Sequence, residues 1–380
     1  MLRIGRWLQQ KRFDVSVIDV KDGFLAQNCE GMELYDIRKP DVGMAIKDGI
    51  LLTPASMVFD LHNLSFLHGR LKVLFWVVNP TNIYPVYPGL GRLLNRNQAL
   101  RDWVYQFIMP REISRIKCIY NYCIDRHGLV FMDRSCVHFN RRYIKSTNNI
   151  EYLQIPLELN LDINISNKNR INNSSRIGWV GRIDFKMKLP VLKIILKDAD
   201  KYFSQIGCVG EFHVIGDGDG FNDLFAHSKN FRNLNITFHG VISNDRLSDI
   251  LLENVDVLFA MGTSALEGAS LGIPTVLVDV CTTTHIDYRY RWLFESLDYT
   301  LGYVIGNNND IPSESIMSFE NLMLDLNERP NVLSNLCRKY VRENHDINVV
   351  GQKLLQLINK NRLNIGDLKA SGLLGARRFF

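Results

Sequence analysis

The sequence has 380 residues, 46% of them hydrophobic and 22% charged, with 45 Lys and Arg against 40 Asp and Glu for a formal net charge of +5. That composition excludes a disordered or fibrous chain and gives length for about two domains. The basic charge is mild and dispersed, so it does not call for a nucleic-acid partner, while attraction to an anionic membrane surface stays open.

Seven cysteines (Cys29, Cys118, Cys123, Cys136, Cys208, Cys281 and Cys337) form no CxxC pair and no Cys/His metal spacing. They read as reduced thiols of a cytoplasmic protein, with no metal and no cofactor expected. Apolar runs such as "LKVLFWVV" and "IPTVLVDV" fall far short of the roughly 18 residues that a membrane span needs. The opening "MLRIGRWLQQKRF" has no continuous apolar region and no small-residue cleavage site, and reads as a helix of the fold.

In chain order, "VSVIDV", "GILLTP", "KVLFWVV", "GLVFMD" and "EYLQIPL" read as strands of the first half. The stretch from Asn97 to His127 reads as helical and divided at Pro110. A doubly wound domain opens with a strand and a Gly-rich turn. This chain starts inside its first helix and reaches a strand only at "VSVIDV", so the first strand is expected to be missing.

Residues 159–175, rich in Asn and Ser, read as a linker. Beyond them the grammar is regular. "RIGWVG" reads as a strand, "LPVLKIILKDADKYF" as a helix behind Pro190, and "EFHVIG" as a strand. "GFNDLFAHSKNF" is a helix and "LNITFHG" a strand. "SNDRLSDILLEN" is a helix that Ser243 or Asn244 can cap. "VDVLFA", "SALEGASLG" and "IPTVLVDV" give strand, short helix, strand. Such alternation predicts an α/β protein of two doubly wound Rossmann-like domains facing a cleft. The expected division is a first domain over 1–158, a second domain over 176–344, and a closing helix and tail over 345–380.

Ligands of open α/β sheets bind beyond the carboxyl ends of the strands, where helix N-termini present free N–H groups. "MGTSALEG" builds such a place: Gly262 lets the backbone turn, and Thr263 and Ser264 offer hydroxyls and N–H groups to an anion such as a diphosphate. Glu267 follows about one turn later, where a carboxylate can accept two hydrogen bonds from a ribose diol. A glutamate on a helix ordinarily just faces solvent. Here the small neighbours Ala265, Gly268, Ala269 and Ser270 indicate close packing.

The second cluster is "VGRIDFKMKLP". Gly181 and Arg182 follow a strand, and Lys186 and Lys188 come before the next helix. A basic loop is ordinarily only solvated, but these cations share the predicted sheet edge with Gly262 and Glu267 and suit a diphosphate.

At this point the order and spacing of "VGRIDFKMKLP", "FHVIGDGDGFNDL", "NITFHGVISNDRLSDILLENVDVLFA" and "SALEGASLGIPTVLVD" resemble the nucleotide-binding half of GT-B glycosyltransferases, closest to family 4. "NVLSNLCRKYVRENHDINVVGQKLL" resembles the closing helices of that family, the last of which often packs back on the first domain. The resemblance implies that Arg182 and Lys188, or Lys186, bind the donor diphosphate and that Glu267 binds the donor ribose. "GDGDG" looks like a DxD metal motif, yet in the family pattern it is the turn after a strand.

Two departures stand out. The family often carries a glutamate eight residues before the one at Glu267, and Phe259 occupies that position. Sugar contacts are therefore expected from backbone groups between Gly262 and Ser264. The missing first strand and Gly-rich loop are the other departure.

The activity implied is transfer of a sugar from a nucleotide-diphosphate donor to a saccharide or lipid-linked acceptor, in bacterial surface polysaccharide assembly. Retention of configuration is expected, and Arg182 and Lys188 stabilise the leaving diphosphate without a metal. A general base, if there is one, belongs to the first domain, where His62, His68 and Asp133 sit at or near predicted loops. "NPTNIYPVYPGLGRLLNR" suits either an acceptor loop that stacks tyrosines on sugar or a rigid surface loop. "RDWVYQFIMPREISRIKCIYNY" suits either core packing or peripheral contact with the inner face of an anionic membrane. His285 and Tyr288 are candidates for donor contact. Two other functions stay open: a nucleotide-sugar-binding partner without catalysis, and a sugar-nucleotide epimerase of the same fold.

Overall fold

The computed structural model describes residues 1–38, 46–84, 98–159, 176–281, 284, 287–305 and 316–375. The chain divides into two compact units, one built from Met1–Glu158 with Asp346–Phe380 and the other from Leu159–His345. The expected linker lies outside the described residues, apart from residue 159.

The first unit begins with helix α1 (Leu2–Gln10), followed by strand β1 (Ser16–Asp19), a short helix α2 (Phe24–Gln27) and strand β2 (Glu33–Asp36), parallel to β1. β2 was not foreseen, because its Glu33 and Asp36 break any apolar pattern. Strands β3 (Ile50–Pro54) and β4 (Lys72–Val77) come next. Helices α3 (Gln98–Ile108) and α4 (Pro110–Asp125) then divide at Pro110, whose ring cannot sit inside a helix but suits its first turn. β5 (Leu129–Phe131) and α5 (Arg134–Asn140) follow, and β3, β4 and β5 form a parallel sheet in that order. "EYLQIPL" is not a strand. Only Tyr152 and Leu157 form isolated bridges, to Phe131 and Asp346, and the ladder never becomes continuous.

The second unit holds strands β6 (Arg176–Val180), β7 (Gly210–Ile215) and β8 (Leu234–Gly240), with helices α6 (Lys188–Ile206) and α7 (Phe221–Ser228) between them. Then come α8 (Asn244–Asn254), β9 (Val257–Ala260), α9 (Thr263–Ser270) and β10 (Thr275–Leu277). The five strands form one parallel sheet in the order β10-β9-β6-β7-β8. That is the doubly wound order: the chain runs outward from β6 through β7 and β8, then returns to the other side of β6 with β9 and β10. "IPTVLVDV" breaks after Leu277, and Val280–Cys281 forms strand β11, which pairs with β12 (Val304–Ile305). Ser243 stands at the start of α8, but its side chain makes no capping hydrogen bond. α6 ends at Gly207, whose φ of 69° is the left-handed turn that glycine tolerates.

Helices α10 (Phe319–Glu328) and α11 (Pro330–His345) close this unit, and α12 (Ile347–Lys360) and α13 (Ile365–Ala370) belong to the first. The Asp346 side chain caps α12 through the Asn348 N–H at 2.7 Å. Trp7 of α1 donates from Nε1 to Asn348 Oδ1 at 3.0 Å, and its ring lies against Gly351. Alternate residues of β4 serve opposite faces of the sheet. Leu74 and Trp76 pack with Ile4, Val350 and Leu354, whereas Val73, Phe75 and Val77 pack with Ile116, Ile119 and Tyr120 of α4. A strand covered by helices on both faces has to be apolar throughout, which is why "KVLFWVV" shows no alternation.

The segment after α12 also belongs to this core. The Leu363 carbonyl accepts from Val73 N–H at 3.0 Å, and Ile365 N–H donates to the Leu71 carbonyl at 3.0 Å. Arg115 donates to the Leu373 carbonyl at 2.8 Å. The sequence carries no motif there, and its apolar side chains act by burial.

Candidate functional site

The predicted site residues gather where the doubly wound sheet changes direction, between β6 and β9. Val180 pairs with Ala260 across these strands, with Ile215 on the other side of β6, and Ala260 pairs with Leu277. The loops that start at residues 181, 216 and 261 therefore leave the sheet at one level. A crevice at the carboxyl edge of such a switch point is where open α/β sheets bind ligands.

The first wall is the loop from Gly181 to Met187, which "GDGDG" braces at Ile183 and Phe185. Ile183 N–H donates to the Asp217 carbonyl at 2.9 Å, and the Ile183 carbonyl accepts from Gly220 N–H at 2.9 Å. Asp219 accepts the Phe185 N–H at 2.9 Å, and Asp184 accepts that of Met187 at 2.9 Å. Gly216 has φ of 131°, and a Cβ on it would overlap the Gly181 carbonyl oxygen; one on Gly218 would overlap that of Ile183. The carboxylates of the DxD-like motif thus brace their own loops: Asp217 accepts the Gly218 N–H at 2.7 Å, and Asp219 holds Phe185. Among the described residues no three His, Cys, Asp or Glu side chains are placed to hold a metal.

With Ile183 buried as the anchor of this loop, Arg182 is left exposed. Lys186 is exposed too. Lys188, the first residue of α6, is half-buried and folds back over the end of β6, with its Nζ 3.4 Å from where a Cβ on Gly181 would stand. Burial lowers the Lys188 pKa, the Arg182 charge lowers it further, and Asp184 opposes both. The two lysines that sequence could barely separate therefore differ in structure: only Lys188 sits at the strand end.

The second wall is the turn from β9 into α9. Gly262 has φ of 62° and ψ of −140°, a combination open essentially to glycine alone, and a Cβ there would meet nothing within 4 Å. Backbone geometry, not space, demands this glycine. Its N–H donates to the Leu301 carbonyl at 2.9 Å. Thr263 and Ser264 form the first turn of α9, with no side-chain cap on the helix start. Gly268 is pressed against Leu258 of β9, which explains the small residues around Glu267. Glu267 itself is half-buried, and its carbonyl accepts from Ser270 Oγ at 2.7 Å.

The remaining candidates sit in different surroundings. Tyr288 does not face a ligand: it is buried, its hydroxyl donates to the Asp279 carbonyl at 2.8 Å and accepts the Asp279 N–H at 2.7 Å, and burial raises its pKa well above that of an ordinary tyrosine. His285 lies outside the described residues. Asp133 is fully buried and caps α5, accepting from Cys136 N–H at 3.0 Å and Ser135 Oγ at 2.6 Å. His62 and His68 are exposed, and His68 Nδ1 accepts the Arg70 N–H at 3.2 Å. Of the tyrosines in the candidate acceptor loop, Tyr84 is in the core with its ring 5.1 Å from that of Phe139, and Tyr87 lies outside the described residues.

Sequence reasoning missed Asp184 and Asp219, which brace the basic loop, and the buried pair Asp279 and Arg291. A signal for the pair was present: charges inside the apolar runs "IPTVLVDV" and "YRYRWLF" have to find partners if those runs are buried.

No protein-family model matches the chain, and no curated protein matches it. Similar solved structures are glycosyltransferases. The apo lipopolysaccharide outer core galactosyltransferase WaaB is 13% identical, with 61% of each chain covered and a TM-score of 0.40. A variant of S. aureus TarM in complex with Fondaparinux, alpha-GlcNAc-glycerol and UDP is 15% identical over 63% of this chain, with a TM-score of 0.40. The present chain thus spans 61% of the length of WaaB and 46% of that of TarM. WaaG, a glycosyltransferase involved in lipopolysaccharide biosynthesis, is 12% identical with 94% of both chains covered and a TM-score of 0.45.

Proposed function

We propose that this chain is a glycosyltransferase that moves a sugar from a nucleoside-diphosphate donor to a saccharide or lipid-linked saccharide acceptor in surface glycan synthesis. The observation that carries the reading is the register Val180 to Ala260, which brings the basic loop and the uncapped start of α9 to one switch point. A helix start and two cations on facing walls form a receptor for a dianionic or trianionic group. The diphosphate is assigned to Thr263, Ser264, Arg182 and Lys188, and the ribose diol to Glu267. UDP is the first donor nucleotide to try, since the TarM variant holds it.

Chemistry follows from the charges. As the bond from the anomeric carbon to the diphosphate oxygen breaks, negative charge grows on the leaving oxygens. Arg182 and Lys188 flank a loop whose backbone is braced by Asp219 and Asp184, and they stabilise that charge. The reading requires no metal and retains the anomeric configuration. Acceptor binding and any general base are assigned to the other unit.

That unit carries the second part of the proposal, peripheral contact with an anionic membrane. Trp103, Phe107 and Ile108 of α3 are exposed, the first two with ring centroids 4.7 Å apart. Arg111 and Lys117 of α4 are exposed as well. An aromatic ridge beside basic residues suits the headgroup layer of a bilayer. No helix among the described residues is long and apolar enough to cross a membrane.

A thermal-shift panel of UDP, GDP, CMP, ADP and dTDP tests the reading, with Glu267→Ala beside the native chain. A ligand that binds only the folded state raises Tm. One nucleotide is expected to stabilise the native chain and to lose most of that effect with Glu267→Ala. No stabilisation by any of them, or equal stabilisation of both proteins, overturns it.

A further inference from the structure

Between β10 and the segment that carries Tyr290 and Trp292 lies a fully buried ion pair. Asp279 and Arg291 have side chains that are 0% exposed. Both guanidinium Nη atoms donate to the carboxylate, Nη1 to Oδ2 and Nη2 to Oδ1, the latter at 2.7 Å. Oδ1 also accepts the backbone N–H of Tyr303 at 2.7 Å, and the Tyr303 ring stacks on the guanidinium with 5.3 Å from its centroid to Arg291 Cζ. The Tyr303 carbonyl in turn accepts from Val280 N–H at 2.9 Å.

Two residues earlier, the Leu301 carbonyl holds the Gly262 N–H at 2.9 Å. Gly302 bridges the two ends. Its φ is 120°, and a Cβ there would stand 2.6 Å from the Val278 carbonyl oxygen and 3.2 Å from Met261 Cε. The segment 301–303 is therefore clamped by the ion pair at one end and grips the turn into α9 at the other. A buried ion pair adds little stability over apolar residues of the same volume, because desolvation offsets the attraction. Geometric specification is what remains for it to supply.

We propose that Asp279 and Arg291 are positioning residues for the anion-binding start of α9. They fix segment 301–303, and through the Leu301 carbonyl they set the peptide of Gly262 so that the N–H groups of Thr263 and Ser264 meet the donor diphosphate. This inference rests on the donor-site reading above.

The test removes both charges together, so that neither is left buried alone. The double variant Asp279→Leu, Arg291→Met is titrated calorimetrically with UDP and with uridine, beside the native chain. Where the nucleotide panel selects another base, that diphosphate and its nucleoside replace them. Positioning predicts a native-like Tm, uridine affinity unchanged, and UDP affinity lower by about tenfold, the size of a helix-terminus contribution to an anion. Gly302→Ala, which disturbs the link and leaves the ion pair in place, is expected to show the same split and answers the question if the double variant does not fold. Equal UDP affinity in variant and native chains overturns the proposal. So does an equal loss for UDP and uridine, which marks a purely structural pair. If the native chain binds no nucleoside diphosphate, the donor-site reading itself falls and takes this inference with it.

Discussion

Val180 and Ala260 face each other in register on adjacent parallel strands, so Gly181 with Arg182 and Met261 with Gly262 leave the sheet side by side. Two stretches far apart in sequence are brought to one edge of the sheet because the strand order reverses between them.

From that arrangement, Arg182→Ala and Lys188→Ala are each expected to lower kcat by about 10²-fold, as removal of one charge-stabilising group does. The double variant is expected to lose less than the product of the two, since both cations face the same leaving group. Lys186→Ala, on an exposed side chain of the same loop, is expected to leave kcat nearly unchanged. Steady-state kinetics at saturating donor separate these cases, and a large loss at Lys186 with none at Lys188 would reverse the assignment.

The lowered pKa of Lys188 sets a pH dependence. Its ammonium form is the one that binds an anion. Burial and Arg182 favour the neutral form, so nucleotide affinity is fully present at low pH and falls as pH rises through the lowered pKa. The fall comes earlier than for an ordinary lysine. A bound diphosphate favours the ammonium and pulls the pKa back up, so binding at a pH near the lowered pKa takes up a proton. Calorimetry in two buffers of different ionisation enthalpy measures that uptake. Lys188→Arg, whose guanidinium stays charged, is expected to abolish both the uptake and the decline.

The fold of the second unit was legible because its signals are local. Apolar strand runs, helical periodicity, and glycines at Gly181 and Gly262 each reflect a nearby backbone need. The candidate site residues could be placed for the same reason, as their loops follow strand ends directly. What escaped depends on distant partners. The grip of Asp219 on Phe185 joins two loops, and the pairing of Asp279 with Arg291 brings together charges that look misplaced when read singly. β2 and the role of Leu363 to Ala370 in the first unit likewise rest on tertiary burial, which no short window of sequence encodes. Tyr288 misled for the opposite reason: an aromatic after a strand end suggests a ligand contact, but its hydroxyl is satisfied by Asp279.

Gly262→Ala offers a test of backbone geometry alone. No atom lies within 4 Å of the added methyl, so the whole effect comes from forcing φ of 62° and ψ of −140° on a residue with a Cβ. A cost of about 1–3 kcal/mol is expected for that strain. Relief by rotating the peptide would break the Gly262 to Leu301 bond and turn the helix start. Urea unfolding and UDP titration are therefore expected to show a modest loss of stability together with a clear loss of affinity. An unchanged affinity would remove the helix start from the site.

The ridge on α3 yields a prediction on membranes. Trp103→Ser with Phe107→Ser is expected to lower cosedimentation with vesicles containing anionic phospholipid by several-fold, without changing nucleotide binding in the other unit. Raising salt is expected to weaken binding of the native chain through the basic component, with the aromatic component persisting. Equal sedimentation of native and variant chains, or none with any vesicle, removes membrane contact from the proposed function.

Leu368 tests whether the segment beyond α12 is part of the first core. Its side chain, like those of Leu363 and Ile365, is 0% exposed, and the surrounding backbone pairs with Leu71 and Val73. Truncation of such a leucine leaves a cavity and costs about 2–5 kcal/mol. In a protein with two compact units, calorimetry can resolve two transitions, and a nucleotide marks the one belonging to the donor unit by raising it. Leu368→Ala is expected to lower the other transition by roughly 5–15 °C and leave the nucleotide-shifted one in place. A shift of the nucleotide-linked transition instead would mean that Leu368 stabilises the donor unit, against the division in which Asp346–Phe380 folds with Met1–Glu158.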